Sequence, residues 1–187
     1  ISLSYQDGSV VPKELRSDVL NAYFTSVFTQ EPAANIPIPL SSNFPQMPPV
    51  SISAEGICKI IDNLKISSAP GPDNISAKIL KGTKEISSRV LQIVFTQSIS
   101  SGQIPSEWKV SRVAPVYKAG SRSDPSNYRP ISLTCIACKL IEHIIYSHAA
   151  KHLDNNSFFF KNQHGFRSGL LCESQLFEFA TDLHSNL

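Results

Sequence analysis

The sequence predicts an α+β domain that is rich in helices and contains one β-hairpin. Apolar residues recur at helical spacing in several separate segments of the 187-residue chain. Two short runs of apolar and β-branched residues, 112–118 and 128–133, flank a polar loop rich in turn-forming residues, which is typical of a hairpin. The hydrophobic content of 41% supports a core, and the charged content of 17% is too low for a disordered chain of high charge.

Residues 1–50 are predicted to form one helix followed by an extended linker. Apolar residues recur near helical spacing from Leu15 to Val27, and Pro12 lies just upstream of them. Six prolines follow between Glu31 and Pro49. Because each proline removes a backbone donor and disfavours helix at the preceding residue, this segment is predicted to be extended.

Three helices are predicted between residues 53 and 100. Ser53 is a preferred N-cap for the first helix, and a short second helix spans Ser76 to Lys81. The third runs from about Thr83 to Ser100, and Gly102 stops it. The apolar face of the first helix consists of Ile57, Ile60, Ile61 and Leu64, and that of the third of Ile86, Val90, Ile93 and Val94.

The hairpin and two further helices are predicted downstream. Pro115 lies within the first strand and argues for an edge strand or a bulge. A long helix is predicted from about Cys138 to Leu153, and an amphipathic helix closes the sequence. The inward residues of the long helix are predicted to be Leu140, Ile141, Ile144, Ile145 and Leu153, and the last helix is marked by Leu176, Ala180, Leu183 and Leu187.

The hairpin region carries a concentrated positive charge. Between Pro105 and Lys139 the net charge is +4, whereas the whole chain carries +2. The cations are Lys109, Arg112, Lys118, Arg122, Arg129 and Lys139, and the anions are Glu107 and Asp124. An excess of this size indicates an anionic partner, and the alternative interpretation is a solvated loop whose charge keeps the protein soluble.

Two of these cations are predicted to lie near each other. Lys118 stands at the exit of the first strand and Arg129 at the entry to the second, so a hairpin brings both toward one point. Arginine offers a planar fork that fits phosphate oxygens, and lysine offers a point charge. Tyr117 and Tyr128 are predicted to add flat faces beside them, which suits nucleotides. The residues themselves therefore favour contact with a nucleic acid or a nucleotide.

Other catalytic and metal-binding motifs are incomplete. Cys135 and Cys138 have the spacing of half a zinc site, but no second closely spaced pair follows. His148 and His152 lie one helical turn apart, but Ala149 stands where the metalloprotease pattern requires Glu. The sequence contains neither a Gly-x-Ser-x-Gly elbow nor a Gly-x-x-x-x-Gly-Lys phosphate loop.

The carboxylates and the apolar runs exclude two further classes. No two aspartates are adjacent, whereas a two-metal site needs clustered carboxylates to hold cations about 3.5–4 Å apart. No apolar run approaches the roughly 20 residues that cross a bilayer, and the first residues lack a secretory pattern. We therefore expect no signal peptide and no membrane segment, and the four cysteines are expected to be reduced thiols of an intracellular protein.

Five sequence blocks carry a resemblance to a known family. They are Ser68–Asp73 (SAPGPD), Ser98–Lys109 (SISSGQIPSEWK), Val113–Lys118 (VAPVYK), Asn127–Leu133 (NYRPISL) and Gln163–Gly169 (QHGFRSG). In order and approximate spacing, these blocks resemble the reverse transcriptase of non-LTR (LINE-type) retrotransposons over about residues 52–187. NYRPIS followed by QHGFR is highly specific, whereas SAPGPD alone is weak.

The resemblance implies the N-terminal part of a right-hand polymerase. The expected architecture is a helix-rich fingers subdomain with a β-hairpin, followed by an incomplete first part of the palm. Residues 1–50 correspond to a connector between an endonuclease and the polymerase, 51–157 to the fingers, and 158–187 to the start of a truncated palm.

The resemblance also assigns candidate site residues by position. Arg129 and Lys118 are expected to contact the triphosphate of the incoming nucleotide. The residues expected at the template or the nucleotide pocket are Gln163, Arg167, Pro70, Gly71 and Asp73. Trp108 is expected to pack in the core of the fingers rather than on a base.

The catalytic aspartates of the family are expected beyond Leu187, so the resemblance implies no catalytic and no metal-binding residue in this chain. We therefore predict a fragment of an RNA-directed DNA polymerase that is inactive by itself. The alternatives are a non-catalytic basic nucleic-acid-binding module and a transposon relic without activity. The full-length family uses Mg²⁺, acts on an RNA template, a DNA primer and deoxynucleotides, and works in the cytoplasm and nucleus.

Overall fold

The computed structural model describes residues 2–5, 7–29 and 45–185, which divide into two compact units. One unit contains the described residues within Ile1–Leu40 together with Ser51–His143, and the other contains those within Ser41–Val50 and Ile144–Leu187. Most of the predicted proline-rich linker and Leu187 of the predicted last helix lie outside the described residues. The subdomain boundaries expected at residues 50 and 157 stay a prediction.

The described residues form six α-helices and one two-stranded sheet, as expected for a helix-rich α+β chain. The helices are α1 (Arg16–Ser26), α2 (Ala54–Asp62), α3 (Ala77–Gly82), α4 (Lys84–Ser101), α5 (Ile136–Asn155) and α6 (Cys172–Ser185). No helix in the described part of the chain is long and apolar enough to span a membrane.

The helix ends follow the residues that predicted them. The Ser53 hydroxyl accepts a hydrogen bond from the Gly56 N–H at 3.0 Å, and the Ser76 hydroxyl accepts one from the Ile79 N–H at 3.3 Å. Each bond satisfies a donor that has no partner within the first helical turn. Gly102 ends α4 with a φ of 66°, a conformation that glycine adopts without steric cost.

Helices α2 and α4 pack against each other in the first unit. Ile57 and Ile61 of α2 and Phe95 of α4 are at most 1% exposed. At the end of α2, the Lys84 ammonium lies 3.0 Å from the Asp62 carboxylate. The helix pair is therefore held by an apolar seam with one exposed ion pair at its edge, and the seam contributes more because exposed ion pairs are worth little.

The apolar face predicted for α4 is mostly the exposed one. Ile86, Val90 and Ile93 are 70%, 53% and 68% exposed, whereas Ser88 and Phe95 are buried. The predicted helix is confirmed. The seam with α2 lies on the side that carries the buried Ser88, whose hydroxyl lies 3.5 Å from the Cys58 sulfur of α2.

The predicted hairpin is confirmed. Strand β1 (Arg112–Tyr117) pairs antiparallel with strand β2 (Tyr128–Leu133) in an unbroken register from Arg112↔Leu133 to Tyr117↔Tyr128. A 3₁₀ turn, Pro125–Asn127, leads into β2. In the described part of the chain this is a two-stranded sheet, so both strands are edges, as Pro115 predicted, and no bulge is needed.

Two prolines lie opposite each other in this ladder without disrupting it. The Lys118 N–H donates to the Asn127 carbonyl at 2.8 Å, which marks that pair as hydrogen-bonded. Hydrogen-bonded and non-hydrogen-bonded pairs alternate in an antiparallel ladder. The pair Pro115↔Pro130, three positions further along, is therefore non-hydrogen-bonded, and neither missing N–H removes a bond between the strands.

The N-terminal segment packs on one face of the hairpin. Leu3, Val11, Leu20 and Phe24 form a buried cluster with Tyr128 of β2. An isolated antiparallel bridge, Ser4↔Val10, closes the segment on itself. Its backbone also reaches the hairpin loop, since the Ser4 N–H donates to the Ser123 carbonyl at 2.9 Å. The first residues and the hairpin thus share one core.

Helix α5 has one buried side. Ile136, Leu140, Ile141 and Ile144 are at most 7% exposed, as predicted for three of them, but Ile145 is 41% exposed and Leu153 is only half-buried. The other predicted core residue, Trp108, is half-buried with its ring edge-on to Phe95, and the ring centroids are 5.6 Å apart. Helix α6 has no buried side chain along its described length.

Candidate nucleic-acid interface

The ladder register places Arg129 and Lys118 on one face of the hairpin. Arg129 lies directly opposite Val116, and Lys118 follows Val116 two positions along the chain. Side chains alternate between the faces of a strand, so Lys118 shares the face of Val116 and of Arg129. Diagonal neighbours of this kind lie about 7–8 Å apart. We call this face, with Arg112, Ala114 and Ile131, the basic face.

Two of the three cations of the basic face are available to a ligand, and the third, Arg112, donates to the Asn74 side chain. Both Arg129 and Lys118 are exposed. Within residues 2–5, 7–29 and 45–185, neither side chain takes part in an ion pair. Val116 and Ile131 lie beside them and are 49% and 43% exposed. The face therefore combines unneutralised positive charge with an apolar strip.

The carboxylate at the hairpin tip, Asp124, is hydrogen-bonded within its own turn. The Asp124 side chain accepts a hydrogen bond from the Ser126 N–H at 2.8 Å and caps the turn before β2. The side-chain and backbone hydrogen bonds to Ser126 hold the pKa of Asp124 below its usual value. Asp124 thus stays charged near neutral pH but serves the turn.

The tyrosines lie on the opposite face, which corrects the expectation that both flank the cations. Tyr128 is 6% exposed, and its hydroxyl donates to the Arg122 carbonyl at 2.7 Å. The Tyr117 ring lies edge-on to Tyr128 and is covered by the Arg122 guanidinium, 4.6 Å from its centroid. Register alternation is the reason, because residues 117 and 128 are one position away from 118 and 129.

This opposite face forms an apolar groove of about 670 Å³ with α1. The hairpin contributes Val113, Pro115 and Pro130, and α1 contributes Leu20 and Phe24. The groove differs sharply from the basic face across the same two strands. One face of the hairpin is thus built for packing, and the other for solvent or a charged ligand.

The predicted template loop meets the base of the hairpin. Gly71 is buried, and a Cβ added to it would lie 2.4 Å from the Cys135 backbone nitrogen. The Asp73 carboxylate accepts the Ile75 N–H at 3.2 Å, which forms a local turn. Pro70 is half-buried in the same loop. The loop and the basic face thus belong to one unit, and the contact with template stays a prediction for all three predicted loop residues.

Gln163 and Arg167 lie in the second unit, where each has a local partner. The Arg167 guanidinium lies 3.0 Å from the Asp154 carboxylate and 5.1 Å from the centroid of the Phe159 ring. The exposed Gln163 amide donates to the Gly165 carbonyl at 3.4 Å. Their predicted roles at the template or nucleotide pocket stay predictions.

Sequence reasoning missed a polar network around His164, the second residue of the QHGFR block. This imidazole is 3% exposed, with Nδ1 2.7 Å from the Ser174 hydroxyl and Nε2 3.1 Å from the Glu178 carboxylate. The Ser174 hydroxyl also bonds the backbone of Leu171, so it caps the start of α6. The network therefore fastens α6 to the preceding turn. The signal that could have indicated it is the pair Ser174 and Glu178, which lie one helical turn apart at the start of the predicted last helix.

The buried thiols of Cys135 and Cys138 are protonated near neutral pH and are therefore poor nucleophiles. Burial raises the pKa of Cys138 to about 12, and the Glu142 carboxylate, 3.1 Å from the sulfur, adds to the rise. Burial also raises the pKa of Cys135. His148 and His152 are half-buried and bonded within α5 and just after it.

In the part of the chain that the structure describes, no group of three or more His, Cys, Asp or Glu side chains is placed to hold a metal ion. A catalytic Mg²⁺ needs several oxygen ligands in octahedral geometry. The Mg²⁺ that the resemblance implies therefore finds no matching ligand set among the described residues.

Comparison with known proteins identifies relatives among mobile elements of Drosophila melanogaster. The chain is 28% identical over 141 residues to the probable RNA-directed DNA polymerase from transposon BS, and 27% identical over 130 residues to the RNA-directed DNA polymerase from mobile element jockey. It is 26% identical over 121 residues to the probable RNA-directed DNA polymerase from transposon X-element. No family profile matches the chain.

These relatives confirm the resemblance to RNA-directed DNA polymerases of non-LTR retrotransposons. The three alignments cover 75%, 68% and 64% of this chain. The same alignments cover 15%, 14% and 13% of the relatives, so the chain spans about one seventh of their length.

Proposed function

We propose that this chain, which resembles part of a non-LTR retrotransposon RNA-directed DNA polymerase, supplies contacts to the incoming nucleotide and the template. The observation that carries the proposal is the placement of Arg129 and Lys118 as diagonal neighbours on one exposed face of the hairpin. Both residues belong to blocks, VAPVYK and NYRPISL, for which the resemblance implies contact with the triphosphate of the incoming nucleotide. Geometry and resemblance thus favour the same pair.

The chemistry of the pair suits a polyphosphate. The guanidinium of Arg129 can donate two parallel hydrogen bonds to phosphate oxygens, while the ammonium of Lys118 adds a mobile point charge. Arg129 lies in a hydrogen-bonded pair of the ladder, so its backbone is fixed before the ligand arrives. A fixed backbone lowers the conformational entropy that is lost on binding, since only the side chain remains to be ordered.

The template contacts belong to the same proposal. Pro70, Gly71 and Asp73 lie at the base of the hairpin, and Gln163 and Arg167 lie in the second unit. In the full polymerase we propose that these residues approach the RNA template or the nucleotide pocket, with a DNA primer and deoxynucleotides as the other partners. By resemblance, the protein would work in the cytoplasm and nucleus.

This chain by itself is proposed to bind without polymerising, because the catalytic aspartates of the family are expected beyond Leu187. A primer-extension assay with RNA template, DNA primer, deoxynucleotides and Mg²⁺ tests this. We expect no product above a protein-free control. Extension that increases with the concentration of purified chain would show that the catalytic assignment is wrong.

Binding is tested on the double variant Arg129→Ala/Lys118→Ala. Fluorescence anisotropy with labelled single-stranded RNA, measured over a series of salt concentrations, gives the affinity and its salt dependence. The slope of log K against log salt is negative, and each lost phosphate contact reduces its magnitude by about 0.7. We therefore expect the double variant to have a slope about 1.4 smaller in magnitude than that of the wild type. The matched control is Lys65→Ala/Arg89→Ala, which removes the same two charge types from exposed sites outside the hairpin.

The control is expected to keep the wild-type slope. Equal slopes for the wild type and the hairpin variant would refute the proposed interface.

The alternative of a non-catalytic nucleic-acid-binding module is tested with a second ligand, dTTP. A nucleotide-contacting hairpin loses dTTP binding in the double variant, whereas a module that binds only nucleic acid shows no dTTP binding in either protein.

A further inference from the structure

The position of Gly71 admits no side chain. A Cβ built on Gly71 would lie 2.4 Å from the nitrogen and 2.7 Å from the Cα of Cys135, and 2.6 Å from the carbonyl carbon of Thr134. All three are backbone atoms, so no side-chain rotation can relieve the contact. Only glycine fits at this position, because the backbone of Thr134 and Cys135 packs directly against Gly71.

That backbone is the junction between β2 and α5. Thr134 and Cys135 follow the last residue of β2, Leu133, and precede the first residue of α5. The contact therefore fixes where β2 ends. Since Arg129 is carried by β2, the packing on Gly71 bears on where that side chain is presented.

The same loop also holds the other strand at its first residue. The Arg112 guanidinium donates to the Asn74 side-chain oxygen at 3.3 Å. Arg112 lies directly opposite Leu133 in the ladder. The packing of Gly71 on Cys135 and the bond from Arg112 to Asn74 therefore attach the loop to both strands at the open end of the hairpin. Asn74 has a φ of 56°, a conformation that Asn adopts more readily than most residues other than glycine.

We infer that Gly71 is a positioning residue, which sets the tilt of the hairpin and thereby the placement of Arg129 and Lys118 for phosphate binding. This inference rests on the proposed function of the basic face. A two-stranded hairpin has little stability of its own, so its orientation depends on its packing partners. These are the cluster around Tyr128 on one face and this loop at the open end. An alanine at position 71 must push the Cys135 nitrogen from 2.4 Å to about 3.4 Å or more. Binding groups need placement within about 0.5 Å, so a displacement of this size disturbs the site.

The test compares Gly71→Ala with Gly82→Ala in the full chain. Gly82 is the last residue of α3, and a Cβ there meets no atom within 4 Å, so it controls for the loss of a glycine. Trp108 fluorescence in urea gives the folded fraction under the binding conditions. Anisotropy with the single-stranded RNA probe gives the affinity and the salt slope.

The salt slope separates positioning from instability. A variant that is only less stable binds with a smaller active fraction, but its folded molecules keep every phosphate contact and the wild-type slope. We expect Gly71→Ala to lower the slope by about 0.7, the loss of one contact, while Gly82→Ala keeps it. A Gly71→Ala slope equal to that of the wild type, at a folded fraction above one half, would overturn the inference.

A second variant decides the question if Gly71→Ala does not fold. Asn74→Gly removes the acceptor for Arg112 but permits the positive φ. Asn74→Asp keeps an acceptor oxygen at this position and serves as the comparison. A lowered slope in Asn74→Gly that Asn74→Asp restores supports positioning by the loop, and an unchanged slope in Asn74→Gly refutes it. Failure of the proposed function looks different, because the double variant of Arg129 and Lys118 would then bind RNA like the wild type.

Discussion

The buried ring of Tyr128 lies edge-on to Tyr117, with 5.8 Å between the ring centroids, one residue before the exposed Arg129. The hairpin thus alternates, within two consecutive residues, between an anchor in the core and a cation in solvent. The anchor explains how a short two-stranded sheet can present a charge at a fixed place. The contribution of this anchor can be tested by substitution of Tyr128.

Substitutions at Tyr128 should separate its hydroxyl from its ring. Tyr128→Phe removes only the hydrogen bond to the Arg122 carbonyl and should lower the free energy of unfolding by about 0.5–1.5 kcal/mol. Tyr128→Ala also empties the cluster with Leu3 and Phe24 and should cost about 3–5 kcal/mol. Urea denaturation measures both. Equal losses for the two variants would mean that the ring contributes nothing to the core.

The free energy of unfolding should decrease at high pH because of Cys138. Its pKa is raised from the usual 9.0 to about 12 in the folded chain. Between these values the unfolded chain releases the proton and the folded chain retains it, so rising pH favours unfolding. Urea denaturation from pH 8 to 11 should show a steeper decline in the wild type than in Cys138→Ala. The exposed Cys172 provides the control, since Cys172→Ala should decline like the wild type.

The ion pair between Arg167 and Asp154 should contribute little to stability. Its side chains are 27% and 50% exposed, and exposed ion pairs are worth about 0–1 kcal/mol. We expect Asp154→Asn to lower the free energy of unfolding by less than 1 kcal/mol. If Arg167 contacts the template, the same variant should bind RNA more tightly, since the guanidinium no longer has to leave a carboxylate. Weaker RNA binding by Asp154→Asn would argue against that role.

The attachment of α6 should depend on His164. Helix α6 buries no side chain along its described length. Its polar links to the preceding segment include the bonds from His164 to Ser174 and Glu178 and the bond from Gln175 to the Asn162 carbonyl. His164→Ala removes two of these links and should therefore speed amide hydrogen exchange in 172–185 while leaving α2 and α4 unchanged. Equal acceleration in α2 would indicate global unfolding instead.

The helices and strands followed from the sequence because their determinants are local. Ser53 and Ser76 cap helices at the predicted places, and Gly102 ends α4. The burial of α4 did not follow, because the helix has apolar residues on two sides. Which side packs depends on α2, which meets α4 through Cys58 and the small Ser88, whose side chains are 3.5 Å apart.

The candidate site was predictable in part for the same reason. The positions of Lys118 and Arg129 relative to each other follow from strand ends and turn chemistry. The orientation of Tyr117 and Tyr128 depends on ladder register, which shifts a whole set of side chains when it changes by one residue. The contact of Gly71 with Cys135 joins residues 64 positions apart, and no local pattern encodes it.

The facing prolines of the hairpin have a consequence for association. In a non-hydrogen-bonded pair the N–H groups point away from the partner strand, toward the place where a third strand would dock. Pro115 and Pro130 have no N–H to offer there, so each outer edge is interrupted near its middle. The interruption weakens the template that either edge offers to a third strand, so the hairpin should resist edge-to-edge aggregation in a crowded solution.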